Sequence, residues 1–344
     1  MLGRPQNKPD TGMSDAPSEE IINGTAPTDQ GVPRPKTLAE FNGQSAAKEN
    51  LSVYITSARI RAAPLDHVLF DGPPGVGKTT LAQIMANELD ANFKAVSAPS
   101  LKQPSDVFTM LSTLEERDVL FIDEIHRLPI TLEENLYTAM EDFCMDLVIG
   151  EPGSSRIVRV PIPPFTLIGA TTRRGMLSQP MRDRFGINVR LELYTEEEMR
   201  LVIERAVEKL GLGMDPAAVM ALAHRSRGTP RIGLKLLNRV RDHAVTDGRS
   251  VVTLADTETA MERIGIDKDG LDEHDRRYLS VLRERFKGGP VGLKSLAMAL
   301  SESEETLENT VEPYLLMKGI IDRTARGRVL RETGLEKYSQ GTLF

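Results

Sequence analysis

Three apolar runs without polar alternation divide the first half of the chain: His67-Val-Leu-Phe70, Val119-Leu-Phe-Ile122 and Phe165-Thr-Leu-Ile-Gly-Ala170. Runs of this kind suit strands buried on both faces of a parallel sheet. Helical periodicity fills the stretches between them, which predicts an α/β sheet. The first run leads into a glycine loop over 71–77 and a helix over 78–89. Upstream, Thr37 followed three residues on by Glu40 is a capping-box pattern, and a helix is expected over 44–63. Met145-Asp-Leu-Val-Ile149 and Arg156-Ile-Val-Arg-Val160 flank a Gly/Pro/Ser turn and predict a β-hairpin. That hairpin is either a plain surface element or a docking surface for a partner.

The second half changes period. Residues 195–265 are predicted to be all-helical, with Asp215-Pro216 opening one of the helices. Residues 265–270 form an expected linker. The rest predicts a helix, a turn at Gly288-Gly289-Pro290, a short helix, a longer helix and a terminal hairpin. Residues 1–31 are rich in Pro, Gly, Ser, Thr, Asp and Glu, too polar to order themselves, and predict a flexible tail.

Composition narrows the class only slightly. A chain of 344 residues has room for roughly two or three domains, each with its own core. The net charge of −7 argues against a uniformly basic nucleic-acid binder, yet excludes no local basic patch. Cys144 is the one cysteine, which excludes an intramolecular disulfide and any multi-cysteine metal site. The sequence carries neither a signal-peptide pattern nor an apolar run of about 20 residues, so a cytoplasmic protein without a membrane anchor is expected.

The chemistry concentrates in Gly72-Pro73-Pro74-Gly75-Val76-Gly77-Lys78-Thr79-Thr80. This fits G-x-x-x-x-G-K-[ST] in full, between a predicted strand and a predicted helix, which is the context the phosphate loop requires. Its glycines let backbone N–H groups turn toward phosphate oxygens, and the helix N-terminus adds positive potential. Lys78 is placed for the β- and γ-phosphates of ATP, and the Thr79 hydroxyl for Mg²⁺. Asp123 and Glu124 end the second apolar run. Asp123 suits the metal, and Glu124 suits polarising an attacking water. His126 has no metal-ligand partner at a suitable spacing and reads as a structural or communicating residue. Thr171 and Thr172 end the third run, where a hydroxyl either reads the γ-phosphate or bonds to nearby backbone. Arg184 either pairs with a local carboxylate or reaches a neighbour's nucleotide. Arg231 stands at a helix start, unfavourable for the helix dipole unless an anion faces it. Arg323, Arg326 and Arg328 gather on the terminal hairpin, suited to duplex phosphates or simply to solvent.

Taken together these motifs resemble the AAA+ ATPases, and within them the RuvB family of bacterial Holliday-junction branch-migration motors. The resemblance spans about residues 33–331. Beyond the phosphate loop it rests on Arg34-Pro-Lys36, Gly43-Gln44, Leu65-Asp-His67, Leu120-Phe-Ile-Asp-Glu-Ile-His-Arg-Leu128 and Met140-Glu-Asp142. It continues through Pro163-Pro-Phe-Thr-Leu-Ile-Gly-Ala-Thr-Thr-Arg173, Arg182-Asp-Arg-Phe-Gly186, Arg227-Gly-Thr-Pro-Arg231, Gly288-Gly-Pro-Val-Gly292 and the segment from Glu312 to Arg328.

The resemblance implies an α/β AAA+ P-loop domain over 32–194, a helical lid over 195–265 and a C-terminal winged-helix domain over 266–344. It implies an ATP hydrolase coupled to DNA translocation, with ATP and Mg²⁺, acting as a homohexameric ring on Holliday-junction duplex DNA in recombination and repair. RuvA would dock on the 145–160 hairpin, and RuvC would resolve the junction. By family position, Arg34, Gly75, Gly77, Lys78, Thr79, Thr80, Tyr194 and Arg231 contact nucleotide, as does the stretch Glu141, Asp142 and Phe143. Thr79 and Asp123 hold the metal, Glu124 is the water carboxylate, Thr172 senses the γ-phosphate and Arg184 is the finger acting in trans. Arg323 and Arg328 match the DNA-contacting arginines of the wing. Two positions depart from the pattern. Pro33 replaces an aliphatic residue, and Glu304 stands where some relatives carry a DNA-contacting arginine, so that contact is expected to be missing.

Two other readings compete. A clamp-loader-like or regulatory ATPase would end in a helical collar instead of a winged helix. A nucleotide-binding protein without turnover would not need Lys78, Asp123 and Glu124 intact.

Overall fold

The computed structural model describes residues 31–149 and 156–331. Most of the expected tail and the turn of the 145–160 hairpin lie outside the described residues. The elements run α1 (Ser45–Arg61), β1 (Val68–Asp71), α2 (Lys78–Glu88), β2 (Phe93–Ser97), α3 (Pro104–Ser112), β3 (Val119–Asp123) and α4 (Ile130–Glu141). They continue with β4 (Cys144–Ile149), β5 (Arg156–Pro161), β6 (Thr166–Thr171), α5 (Gln179–Asp183) and β7 (Ile187–Arg190).

The first half forms a five-stranded sheet ordered β2-β3-β6-β1-β7. Every pair in it is parallel. The apolar runs are its three central strands, and their period of two explains the layering. Val68, Phe70, Val119, Phe121, Ile168 and Ala170 join the core under α1 and α2. Leu69, Leu120, Ile122 and Leu167 join a second core under α3 and α4. Both faces need apolar side chains, so the runs have no polar alternation. The two edge strands do not show that signature: β2 is half-buried, and β7 alternates buried with exposed. Sequence periodicity left both unassigned.

The capping box at Thr37 closes only a turn. The Glu40 N–H donates to Thr37 Oγ1 at 3.3 Å, while Glu40 Oε2 accepts from the Lys36 N–H at 3.2 Å. Gly43 and Gln44 then adopt positive φ values of 80° and 55°, which interrupts any helix, and α1 begins at Ser45.

The middle section consists of α6 (Glu196–Lys209), β8 (Gly213–Met214), α7 (Pro216–Arg225), α8 (Pro230–Thr246), β9 (Val251–Val252) and α9 (Leu254–Arg263). The all-helical expectation therefore needs correction. A parallel pair, Gly213 with Val251 and Met214 with Val252, ties the loops before α7 and α9 together. Two residues per strand are too few for a periodic pattern to reveal. Asp215 does precede a helix opened by Pro216.

The last section holds α10 (Glu273–Glu284), α11 (Leu293–Leu300), α12 (Glu304–Thr306), α13 (Glu312–Met317), β10 (Ile321–Thr324) and β11 (Gly327–Leu330). A π-helical turn at Leu307–Val311 joins α12 to α13. Pro313 follows it, and the widened turn relieves the clash a proline ring makes with the carbonyl four residues earlier. The hairpin β10–β11 pairs Arg323 with Arg328, and Val291 bridges to Arg328 as a third edge. This section has its own core around Tyr278, Leu296, Leu315 and Ile321.

Candidate nucleotide site

A cavity of about 200 Å³ lies between the parallel sheet and the helices of the middle section. The phosphate loop forms its floor. Gly75 has a φ of 78°, and a Cβ there would stand 2.7 Å from Thr229. Gly77 has a φ of 101°, and a Cβ there would meet the Phe41 ring at 3.1 Å. Both positions therefore need glycine for backbone freedom and for close approach.

Lys78 is buried at the start of α2. Its Nζ donates to the carbonyls of Gly72 at 2.7 Å and Pro73 at 2.8 Å. Burial pushes its pKa down to about 8; Asp123 and Asp71 oppose that shift, and Arg231 adds to it. Asp123, at the C-terminal end of β3, lines the cavity with Thr79 and Thr80. The hydroxyl of Thr79 and the carboxylate of Asp123 are hard oxygen donors in one cleft, the donor set that suits Mg²⁺. Glu124 also lines the cleft, in a left-handed conformation with a φ of 50°. Its Oε2 accepts from Arg127 Nη1 at 2.8 Å, and both side chains are well exposed.

The two threonines at the end of β6 separate by role. Thr171 is buried, with its Oγ1 3.0 Å from His126 Nδ1 and accepting from the Arg173 N–H at 2.9 Å. Thr172 lines the cleft. Burial lowers the His126 pKa.

Arg34 and Tyr194 also line the cleft. Tyr194 is buried, its O–H donates to the Val76 carbonyl at 3.2 Å and its N–H to the Gly228 carbonyl at 2.8 Å. Burial pushes its phenol well above the usual range. Arg231 enters from the start of α8, and its N–H reaches the Gly75 carbonyl at 3.4 Å. Arg205, unmarked by any motif, also lines the cleft. It donates to the Pro33 carbonyl at 3.2 Å and to Glu40 at 3.0 Å, holding the segment that carries Arg34. No sequence signal distinguished it from the other charged residues of its amphipathic helix.

Four candidate residues do not reach this chain's own cleft. Glu141, Asp142 and Phe143 follow one another at the end of α4 and line no part of it. Arg184 stands with Glu141 instead, its Nη2 3.1 Å from Oε2, its Nη1 donating to the Pro180 carbonyl and its guanidinium 4.2 Å over the Tyr137 ring. Arg184 Nε has no hydrogen-bond partner among the described residues.

The two wing arginines share one carboxylate. Glu312 is fully buried and accepts from both. Its Oε2 takes Arg323 Nη2 at 2.6 Å, and its Oε1 takes Arg328 Nε at 2.9 Å and the Tyr278 hydroxyl at 3.0 Å. Arg328 also pairs with Glu308 and is only 14% exposed, whereas Arg323 is 41% exposed. A buried carboxylate needs this many donors to offset its desolvation. Arg328 is thus the more deeply packed of the pair. Arg326 at the turn is exposed. On the 145–160 hairpin, β4 pairs antiparallel with β5, Asp146 forms a two-point contact with Arg159, and Ile157 is 71% exposed.

Three family models match the chain in succession. The Holliday junction DNA helicase RuvB P-loop domain matches 33–191, the RuvB AAA lid domain 194–267 and the RuvB C-terminal winged helix domain 268–339. The Holliday junction branch migration complex subunit RuvB of Paramagnetospirillum magneticum is 53% identical over 303 residues, covering 88% of this chain and 87% of the relative. That of Gluconobacter oxydans is 52% identical over 305 residues, covering 89% and 87%. Among solved structures, the Thermotoga maritima RuvB Holliday junction branch migration motor superposes with a TM-score of 0.81 at 44% identity. That superposition covers 90% of this chain and 99% of the other.

Proposed function

The chain belongs to the RuvB family of P-loop ATPases, and on that premise we propose that it hydrolyses ATP to drive branch migration of Holliday junctions. The observation that carries this reading is the cleft itself. It gathers Lys78 and Thr79 from the start of α2, Asp123, Glu124 and Thr172 from the ends of sheet strands and Arg231 from the helical section, while Arg184 stands outside. In our reading the labour divides among an ATPase domain over 32–194, a lid over 195–265 and a winged-helix DNA head over 266–344, whose residues 332–344 lie outside the described ones.

In this reading ATP enters between sheet and lid. Lys78 leaves the Gly72 and Pro73 carbonyls and turns to the β- and γ-phosphates. Gly75, Gly77 and Thr80 cradle them with backbone N–H groups, and Arg34 and Tyr194 bracket the adenosine end. Mg²⁺, held by Thr79 and Asp123, would neutralise charge on the phosphates. Glu124 leaves Arg127 and takes the proton of the attacking water. Thr172 and Arg231 register the γ-phosphate from opposite walls. Arg184, with Glu141, Asp142 and Phe143 beside it, serves the cleft of the next subunit in a homohexameric ring.

The head holds duplex DNA through its wing. Arg323 and Arg328 face phosphate, with Arg326 beside them at the turn, and Glu312 holds the first two in place. Phosphate contacts carry no base information, so the grip is independent of sequence. RuvA docks on the hairpin of β4 and β5 through exposed Ile157, and RuvC resolves the junction afterwards. No helix among the described residues is long and apolar enough to cross a membrane, and we place the protein in the cytoplasm. A clamp-loader reading is disfavoured by the winged-helix match over 268–339.

The deciding experiment is dissociation of a synthetic four-way junction, with and without RuvA. ATP-dependent dissociation stimulated by RuvA is the expected result. ATP hydrolysis with no movement of the junction under either condition would overturn the reading.

A further inference from the structure

Five residues, Arg227-Gly-Thr-Pro-Arg231, run from the nucleotide cleft to the winged-helix section. The cleft end is tied to the phosphate loop. Arg231 lines the cavity, and the methyl of Thr229 lies so close to Gly75 that no Cβ would fit. The middle is stiff. Arg227 and Gly228 both take left-handed conformations, with φ of 54° and 63°, and the Gly228 carbonyl is held by the Tyr194 N–H at 2.8 Å. A Cβ on Gly228 would stand 2.8 Å from the Tyr194 carbonyl.

The far end is an arginine locked into another unit. Arg227 Nη2 lies 3.0 Å from Asp272 Oδ2 and 2.5 Å from Asp275 Oδ2, and its Nε donates to the Gly270 carbonyl at 2.9 Å. Its guanidinium sits 5.0 Å from the Tyr314 ring. Asp272 and Asp275 are the reciprocal N-terminal cap of α10, and Tyr314 lies on α13. One guanidinium thereby grips two helices of the winged-helix section at once.

The environment of this grip distinguishes it from the other ion pairs across the seam. Arg227 is 10% exposed and Asp275 1%. Lys318–Glu196 is 28% and 52% exposed, and Arg173–Glu305 is 31% and 74%. Exposed pairs of that kind are screened and contribute little. Arg227 also reaches a cavity of about 170 Å³ whose other lining residues, among them Asp272, Asp275, Leu300 and Val311, all belong to the winged-helix section. A bonded, buried fork transmits displacement where solvated pairs slip.

We propose that Arg227 is a positioning residue that couples the nucleotide cleft to the DNA head. When Arg231 shifts toward a bound γ-phosphate, the stiff segment carries Arg227 with it, and α10 follows through Asp272 and Asp275. This rests on reading the chain as a DNA motor with a nucleotide site around Lys78.

The test uses the full chain carrying Arg227→Met, which keeps the side-chain length and removes the fork. ATPase without DNA should stay within about twofold of wild type, while junction movement per ATP falls about tenfold or more, the scale of a coupling between sites. Arg227→Lys, with charge but no fork, should recover only part of it. Amide hydrogen exchange with a non-hydrolysable ATP analogue gives the readout that a merely structural role would not move. In wild type, analogue binding should change exchange in 75–80 and in 270–276; in Arg227→Met only 75–80 should respond. Unchanged movement per ATP, an equal response of 270–276 in both proteins, or no response there in wild type would each overturn the coupling. If Arg227→Met fails to fold, Asp272→Asn with Asp275→Asn removes the same grip from the other side, and the same outcomes decide. A wild type that fails to move junctions while 270–276 still responds to nucleotide through Arg227 would instead overturn the motor reading alone.

Discussion

Lys78 binds two loop carbonyls, and burial lowers its pKa to about 8. A triphosphate is a strong local anion and raises that value again. Near pH 7 the ammonium is already formed, so ATP binding moves few protons; at pH 8.5 more than half of it is neutral and binding takes up a proton. Calorimetry in buffers of different ionisation heat should show this uptake at pH 8.5 and little at pH 7, with affinity falling up to about tenfold per unit at higher pH. Equal proton counts at both pH values would contradict the assignment. Glu124 leads to a second expectation. Glu124→Gln should bind ATP as wild type does and lose turnover by about 100-fold or more, as measured by steady-state hydrolysis and nucleotide binding. At this scale the sequence was most informative. The motif named Lys78, Thr79, Asp123 and Glu124 because their chemistry depends on local spacing. The carbonyl partners of Lys78 and the Arg127 partner of Glu124 depend on how the backbone turns, and no spacing encodes that.

Single side chains also tie elements to one another. His67 precedes β1; its Nδ1 accepts from the Leu167 N–H at 2.9 Å and its Nε2–H donates to the Met140 carbonyl at 3.0 Å. This links the central strands to the end of α4, and burial holds the ring neutral by lowering its pKa below 6.5. The unfolded chain, with a histidine near 6.5, binds more protons than the folded one below that pH. Stability should therefore decline as pH falls through about 6.5, and His67→Gln should flatten that part of a urea-denaturation profile. An unchanged pH slope in the variant would rule the residue out. In the winged helix, Glu312→Ala should cost ~3–5 kcal/mol in thermal or urea unfolding, because Arg323 and Arg328 lose a buried counterion. A loss below about 1 kcal/mol would show that the two guanidiniums re-pair with Glu308 or solvent. Elements were legible where burial was two-sided. The central strands and α2 stood close to their expected positions, while β2 and β7, each covered less fully at the sheet edges, had no continuous apolar run to announce them. The pair β8–β9 was hidden because two residues per strand show no period, and the π turn before Pro313 because a single widened turn leaves no repeat of its own.

For the whole molecule, the order of the three sections was legible because each has its own periodicity and punctuation. The seams were not. Arg205 and Arg227 do their work across sections; no motif marks Arg205, and the motif that contains Arg227 gives no sign of its partners in the winged-helix section. The proposed trans role of Arg184 belongs to this scale too. Arg184→Ala should bind ATP but hydrolyse it poorly, and Lys78→Ala should bind it poorly. Mixed in equal amounts, the two should regain part of the ATPase activity, since an intact cleft of one can meet an intact arginine of the other. No recovery in an assembly of confirmed mixed composition would exclude the role.

Arg184 rests against Glu141 and Tyr137, turned away from the cleft of its own chain. With that arginine as the proposed finger, a solitary protomer among millimolar nucleotide would stay loaded and silent. Ignition would come only with a neighbour, so a free subunit would not idle away the cell's ATP, and wherever the circle is broken the last cleft would wait. Assembly on DNA would then be the throttle as well as the chassis of the machine.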